Sequence, residues 1–91
     1  MQKIRTTVKI AGKDYNIAGY DSEEHVQRVA AYVDRTMSEF STTTHLPPAQ
    51  LAVLTAVNAA NDMMKSRDEV RRLRAEIDAL RTALEKKNDE E

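Results

Sequence analysis

The sequence predicts an α+β fold: a small N-terminal head, built from a β-hairpin and an amphipathic helix, precedes a long C-terminal helix that forms a parallel coiled coil. Three observations support this prediction. They are an alternating apolar pattern near the N-terminus, an apolar stripe at helical spacing in the middle, and a heptad repeat toward the C-terminus. The head is predicted to cover residues 1–64, and the coiled-coil tail, with its acidic end, residues 65–91.

Composition narrows the class of protein. The chain has 91 residues, of which 41% are hydrophobic and only 4% aromatic, so its core is small and oligomerisation is expected. It contains no cysteine, which excludes disulfides and thiolate metal sites. A net charge of −1 argues against bulk attraction to nucleic acid or anionic membranes. The absence of a long apolar run and of a signal peptide leads us to expect a cytoplasmic location without direct membrane binding.

Residues 4–18 are predicted to form the hairpin. The segment IRTTVKI alternates as a half-buried strand does, Gly12 can adopt the positive φ of a tight turn, and alternation resumes with Tyr15 and Ile17 on one face. Because two strands alone are marginally stable, the hairpin must pack on an apolar surface. The predicted inner face carries Ile4, Thr6, Val8 and Ile10, and the outer face carries Arg5, Thr7 and Lys9.

Residues 22–41 are predicted to form the first helix. Asp21 is the predicted N-cap, with Glu24 at capping-box spacing and Glu23 beside it at the positive end of the helix dipole. The helix is expected to end near STTT, where hydroxyl groups compete for backbone hydrogen bonds. Its apolar stripe is predicted to comprise Val26, Val29, Ala30, Val33, Met37 and Phe40.

The second helix is predicted to begin at Pro48, since proline suits the first helical position, and Pro47 prevents the first helix from continuing. From Ala49 to about Lys87 there is no glycine and no proline, and such a helix would be about 58 Å long. An unbroken heptad seam runs along it. The seam residues are Ala52, Ala56, Ala59, Met63, Ser66, Val70, Leu73, Ile77, Leu80 and Leu84.

The pattern of the tail favours a coiled coil of two parallel helices. The a positions hold Val70, Ile77 and Leu84, and the d positions beside them hold Leu73 and Leu80. β-Branched residues at a with leucine at d are typical of parallel dimers. In a parallel pair, Glu69 and Glu76 at g face Arg74 and Arg81 at e of the partner helix, whereas an antiparallel pair would bring like charges together. These interhelical ion pairs are expected to select the orientation more than they add stability.

The first half of the second helix carries apolar residues on every side. Small alanines line its seam, so two helices can approach closely there, and the other faces need the hairpin and the first helix as a cover. These other residues are Leu51, Val53, Leu54 and Val57.

No residue pattern indicates catalysis, a cofactor or a metal. His25 and His45 have no second ligand at metal-site spacing, and Glu23–Glu24 are explained by the helix N-terminus. Asn58 and Asn61 lie in the buried stretch, where amides serve either as polar ligands or, more often, as ties to backbone groups. The run RDEVRRLR resembles a DNA-binding helix, but interleaved acids cancel much of its charge and favour a solvated coiled-coil face.

Taken together, the hairpin VKIAGKDYNI, the helix start DSEEHVQRVAAYVD and the segment LAVLTAVNAANDMMK resemble the ZapA family of cell division proteins. The likeness covers essentially the whole chain, LAVLTAVNAAND is its most specific part, and the short tail is similar to the Gram-positive branch. The resemblance implies a non-enzymatic protein that binds the GTPase FtsZ, bundles its protofilaments and supports the Z ring at mid-cell. It also implies homodimers that pair tail to tail into homotetramers.

The resemblance directs attention to the hairpin as the FtsZ-binding surface. Lys13 at the hairpin tip matches a basic position of the family, and Arg5 and Lys9 project from the same hairpin. Gln50, at the start of the second helix, is a further candidate. Alternatively, the hairpin charges only keep a sheet edge from aggregating. A second interpretation of the whole chain is a structural coiled-coil adaptor for another partner, such as a membrane-bound or nucleoid protein; a weaker third is a DNA-binding dimer.

Overall fold

The computed structural model describes residues 2–89, which form two strands followed by two helices: β1 (Ile4–Ile10), β2 (Lys13–Gly19), α1 (Glu23–Thr44) and α2 (Pro48–Asp89). This order confirms the predicted α+β fold. The chain divides into two compact units, one ending at Ala56 and the other starting at Val57. The predicted division between residues 64 and 65 stays a prediction, and residues 90 and 91 of its acidic end lie outside the described residues.

A two-residue turn joins the antiparallel strands. Ile10 pairs with Lys13, and the register continues to Ile4 opposite Gly19. Ala11 and Gly12 between the strands have φ of 53° and 79°, as a type I′ turn requires. Glycine adopts this conformation freely, whereas the Cβ of Ala11 costs about 1–2 kcal/mol there.

Burial alternates along β1 as the sequence predicts. Thr6 and Val8 are only 3% and 2% exposed, while Thr7 between them and Arg5 and Lys9 on either side are exposed. Directly opposed residues of an antiparallel pair share a face, so Ile17 opposite Thr6 also belongs to the inner face. Its side chain is nevertheless 38% exposed. The β2 half of the inner face is therefore largely uncovered.

The N-cap of α1 is Ser22, and the prediction of Asp21 is wrong. The Ser22 side chain accepts a hydrogen bond from the backbone N–H of His25 at 3.2 Å. Ser22 has an extended backbone, and its carbonyl accepts the first helical bond from Val26. Glu23 and Glu24 lie in the first turn, where the helix dipole favours negative charge.

α1 ends at Thr44 rather than near Ser41. The hydroxyl of Thr42 donates to the carbonyl of Glu39 at 2.8 Å, and that of Thr44 donates to the carbonyl of Phe40 at 2.7 Å. These bonds run back to carbonyls inside the helix, so the hydroxyls pair within α1 and do not end it at the start of STTT. His45 then closes the helix in the left-handed conformation.

The buried stripe of α1 is centred on Ala30 and Met37, which are 4% and 8% exposed. Thr36 is also buried. Its hydroxyl donates to the carbonyl of Tyr32 at 2.8 Å, so burial leaves no unpaired donor. Val29, predicted for the stripe, is 49% exposed. It lies one position from Ala30 and therefore about 100° around the helix, at the edge of the stripe.

Two side chains of α1 bind the backbone of the hairpin. The Gln27 amide donates to the carbonyl of Thr7 at 2.9 Å, and the Asp34 carboxylate accepts from the N–H of Ala11 at 2.8 Å. Gln27 and Asp34 are seven residues apart, so both project from the same face of α1. α1 thus holds the hairpin at the middle of β1 and at the turn.

α2 begins at Pro48, as predicted, and the carbonyl of Pro47 accepts from the N–H of Leu51. Leu51 is 6% exposed, and Leu54 is half-buried. Val53 and Val57, which were expected under the same cover, are 64% and 60% exposed. The expectation is wrong for these two valines within a single chain, because they lie about 200° and 240° around the helix from the buried Leu51.

Thr55 is 3% exposed, and its hydroxyl has no hydrogen-bond partner among the described residues. An unpaired buried hydroxyl costs about 1–3 kcal/mol, whereas a methyl group of similar shape does not. We therefore expect Thr55→Val to raise the melting temperature by several degrees, measured by circular dichroism.

Thr42→Val is the matched control for this prediction. It removes an exposed hydroxyl that has a partner, the carbonyl of Glu39, and it is expected to give no gain. A fall in melting temperature for Thr55→Val would mean that the hydroxyl is hydrogen-bonded in solution.

Candidate functional site

None of the helices within residues 2–89 combines the length and the apolar character that a membrane span requires. The same residues contain no group of three or more histidine, cysteine, aspartate or glutamate side chains placed to hold a metal ion. His25 lies in the first turn of α1, where its backbone N–H donates to the Ser22 side chain, and His45 caps the end of the helix. Two surfaces stand out as candidate sites: the hairpin with its surroundings, and the seam of α2.

The outer face of the hairpin carries two of the predicted basic residues. Arg5 and Lys9 are exposed and four residues apart on β1, so they share this face. Asp14 lies directly opposite Lys9. The carboxylate reduces the local positive charge, so the outer face is a weaker basic patch than β1 alone suggests.

Lys13 belongs to the other face of the hairpin. Because it pairs directly with Ile10, it points to the inner side, away from Arg5 and Lys9. The structure therefore does not bring the three predicted basic residues together in one patch. Lys13 is exposed at the tip, where it borders a groove of the head.

The head groove is an open cleft of about 1160 Å³ between the inner face of the hairpin, α1 and the first turn of α2. The fourth predicted residue, Gln50, is exposed on this turn of α2, between groove-lining neighbours on either side. This groove was not predicted from the sequence, although the alternation in YNIA indicated an apolar face of β2 for which no cover had been identified. Apolar residues of the lining include Ile10, Tyr15, Ile17, Val33, Met37 and Leu51.

The seam residues of α2 form an apolar stripe without a cover in the single chain. Ala59 is half-buried, whereas the rest of the stripe is exposed. An isolated soluble helix rarely exposes such a regular apolar row, so the stripe marks an association surface. The large exposed side chains of the stripe are Met63, Val70, Leu73, Ile77, Leu80 and Leu84, and Ala52 and Ala56 extend the row.

Within one chain, the two glutamates of the predicted interhelical pairs contact a residue of their own helix. Arg72 forms an ion pair with Glu69 one turn earlier, and with Glu76 at 2.8 Å one turn later. All three side chains are more than half exposed, so each pair adds little stability. The predicted pairs of Glu69 with Arg74 and of Glu76 with Arg81 across two chains stay predictions, and Arg72 would compete for both carboxylates.

The two asparagines of the second helix differ in their surroundings. Asn58 is half-buried, whereas Asn61 is exposed, so the expectation of a buried amide is wrong for Asn61 in the single chain. Neither position indicates a polar ligand site.

Comparison with known proteins agrees with this arrangement. The sequence profile described as "Cell division protein ZapA" matches residues 6–90. Proteins of that description from Geobacillus thermodenitrificans and Halalkalibacterium halodurans are 47% and 45% identical to this chain. The alignments cover 82% and 79% of this chain, and 84% and 80% of the two relatives. A solved structure described as "ZapA mutant dimer from Geobacillus stearothermophilus" is similar at a TM-score of 0.71, with 44% identity, and the match covers 85% of this chain and 91% of that one.

Proposed function

Because the chain belongs to the ZapA family of cell division proteins, we propose that it is a non-enzymatic factor that binds FtsZ, promotes lateral association of FtsZ protofilaments and supports Z-ring assembly. It would act in the cytoplasm at the division site, in septation. The observation that carries the proposal is the match of the ZapA profile to residues 6–90. The exposed apolar seam of α2, which a second copy of the chain would cover, supports the dimer that bundling needs.

A parallel dimer is the first step of the proposed function. Alternation of β-branched a residues with leucine d residues favours two parallel strands, and the similar solved structure is described as a dimer. A dimer carries two copies of the head. Two linked weak sites gain avidity because binding of the first raises the effective concentration of the second.

Pairing of two dimers through their tails would place heads at both ends of a tetramer, and such an assembly can bridge neighbouring filaments. Between Arg67 and Lys87 the apolar residues other than alanine all belong to the seam. Any tetramer would therefore be held by few additional apolar contacts. On dilution, we expect the tetramer to dissociate into dimers at a higher protein concentration than that at which the dimer dissociates into single chains.

The proposed FtsZ-binding surface is the hairpin, with Lys13 at its tip, Arg5 and Lys9 on its outer face and Gln50 at the start of α2. The hairpin is exposed, and α1 fixes it at two points through Gln27 and Asp34. A basic surface speeds the encounter with an acidic filament.

The test is co-sedimentation with polymerised FtsZ. Lys9→Glu combined with Lys13→Glu reverses one charge on each face of the hairpin, and we expect FtsZ bundling to fall at least tenfold, measured by pelleting and light scattering. Lys9→Glu and Lys13→Glu alone identify which face binds.

The matched control for this prediction is Lys86→Glu with Lys87→Glu, which makes the same charge change in the last turn of α2. It should bundle FtsZ as the wild type does. Full bundling by the hairpin double variant, in a protein of unchanged mass, would rule out the hairpin as the binding surface.

The coiled-coil adaptor for a membrane-bound or nucleoid partner remains the second candidate function, and it rests on the same seam. It predicts an intact dimer that does not pellet with FtsZ. Co-sedimentation of the wild-type protein separates the two functions.

A further inference from the structure

The turn at the hairpin tip adopts a conformation that its sequence does not favour. A type I′ turn needs positive φ at both central residues, and asparagine–glycine is the preferred pair. This chain has alanine at the first position, with φ of 53°. An isolated Ala-Gly loop would leave this conformation for much of the time, and Lys13, the next residue, would move with it.

A hydrogen bond from outside the hairpin compensates for the unfavourable residue. Asp34, on α1, accepts the N–H of Ala11 at 2.8 Å across a separation of 23 residues. Ala11 follows the last residue of β1, so this N–H is not part of the strand ladder. A carboxylate acceptor makes the bond stronger than one between neutral groups. Asp34 is half-buried, and its position on α1 is fixed by the buried neighbours Thr36 and Met37.

We propose that Asp34 is a positioning residue: it holds the Ala11–Gly12 turn in the left-handed conformation and thereby fixes Lys13 for filament binding. The proposal rests on the proposed function for its second half. Asp34 itself binds no partner protein; it acts through the turn. Asp34 was not a candidate from the sequence, because nothing in the local pattern of α1 distinguishes it from a solvated carboxylate.

The structure gives a specific test of this role. Asp34→Ala removes the acceptor, and FtsZ affinity in co-sedimentation should fall about tenfold, the factor that corresponds to one charge-assisted hydrogen bond. Asp34→Asn keeps an oxygen acceptor without charge, so it should retain most of the affinity. The Ala11 amide, followed by hydrogen exchange in NMR spectra, should lose its protection in Asp34→Ala and keep part of it in Asp34→Asn.

Rescue at the turn separates positioning from direct contact. Ala11→Asn supplies a residue that adopts positive φ readily, so in the Asp34→Ala background it should restore affinity to within about twofold of the wild type. Thr55→Val in the same background is the matched control, because it is expected to raise stability from α2 without changing a residue of the turn; it should not restore affinity. Equal recovery with Thr55→Val would mean that Asp34 contributes only general stability, and would overturn the proposal.

Two further outcomes are decisive. Unchanged affinity and an unchanged Ala11 amide in Asp34→Ala would refute the positioning role while leaving FtsZ binding intact. Failure of the wild-type protein to sediment with FtsZ would instead refute the proposed function. In that case, loss of protection of the Ala11 amide in Asp34→Ala would still show that Asp34 holds the turn. Unchanged protection of this amide would refute that role as well.

Discussion

Leu73→Glu combined with Leu80→Glu is expected to abolish self-association and leave a species near the 10.3 kDa mass of one chain. Both leucines occupy d positions of the seam, at 42% and 70% exposure in the single chain. In a parallel dimer the substitutions would bury four carboxylates against apolar side chains, which costs several kcal/mol for each unpaired charge. Sedimentation equilibrium over a range of concentrations measures the mass directly.

Ala75→Glu combined with Thr82→Glu is the control for this prediction. These residues have the same seven-residue spacing and gain the same charge, but they occupy f positions on the side away from the seam. The control should keep the mass of the wild type. If the leucine variant also keeps it, the tail seam is not the surface that holds the chains together.

Leu51→Ala is expected to cause the largest loss of stability of any single truncation in α2. Leu51 is 6% exposed, next to a groove that α1 and the hairpin also line. Removing its side chain loses the transfer free energy and leaves a cavity, for a total of about 2–5 kcal/mol. Urea unfolding followed by circular dichroism should show the midpoint shift to lower denaturant at an unchanged slope.

Val53→Ala is the comparison for Leu51→Ala, since Val53 lies two residues later on the same helix at 64% exposure. It should cost less than about 1 kcal/mol unless a second chain covers it. Equal losses of stability for the two variants would indicate that Val53, which is exposed in the single chain, is buried in the dimer.

The periodic elements were predictable from the sequence because each carries its own repeat. β1 shows its two-residue alternation, and the start of α2 at Pro48 follows from the fixed φ of proline and its missing N–H. Features that do not repeat along the chain, such as the helix N-cap, were harder to predict. Asp21 and Ser22 are adjacent and both suit an N-cap, and only the fold decides which backbone turns into the helix.

Part of the candidate site could also have been predicted from the sequence. A two-residue loop fixes the register of a hairpin, and with that register Lys13 lies opposite Ile10, on the face away from Lys9. Lys13 was grouped with Lys9 because both belong to the hairpin. The strand register, which places the two side chains on opposite faces, was not used. The uncovered inner face of β2 follows from the same register once the limited reach of α1 is known.

The sequence by itself determined the elements, the heptad seam and the faces of β1, since these depend on spacing along the chain. Only the tertiary structure decided which apolar residues the head covers, Leu51 but not Val53, and which polar residues bridge elements. Asp34 meets Ala11 across 23 residues, and Gln27 meets Thr7 across 20. No local pattern encodes such contacts, because they arise from the packing of α1 on β1, which sets distances that sequence separation does not.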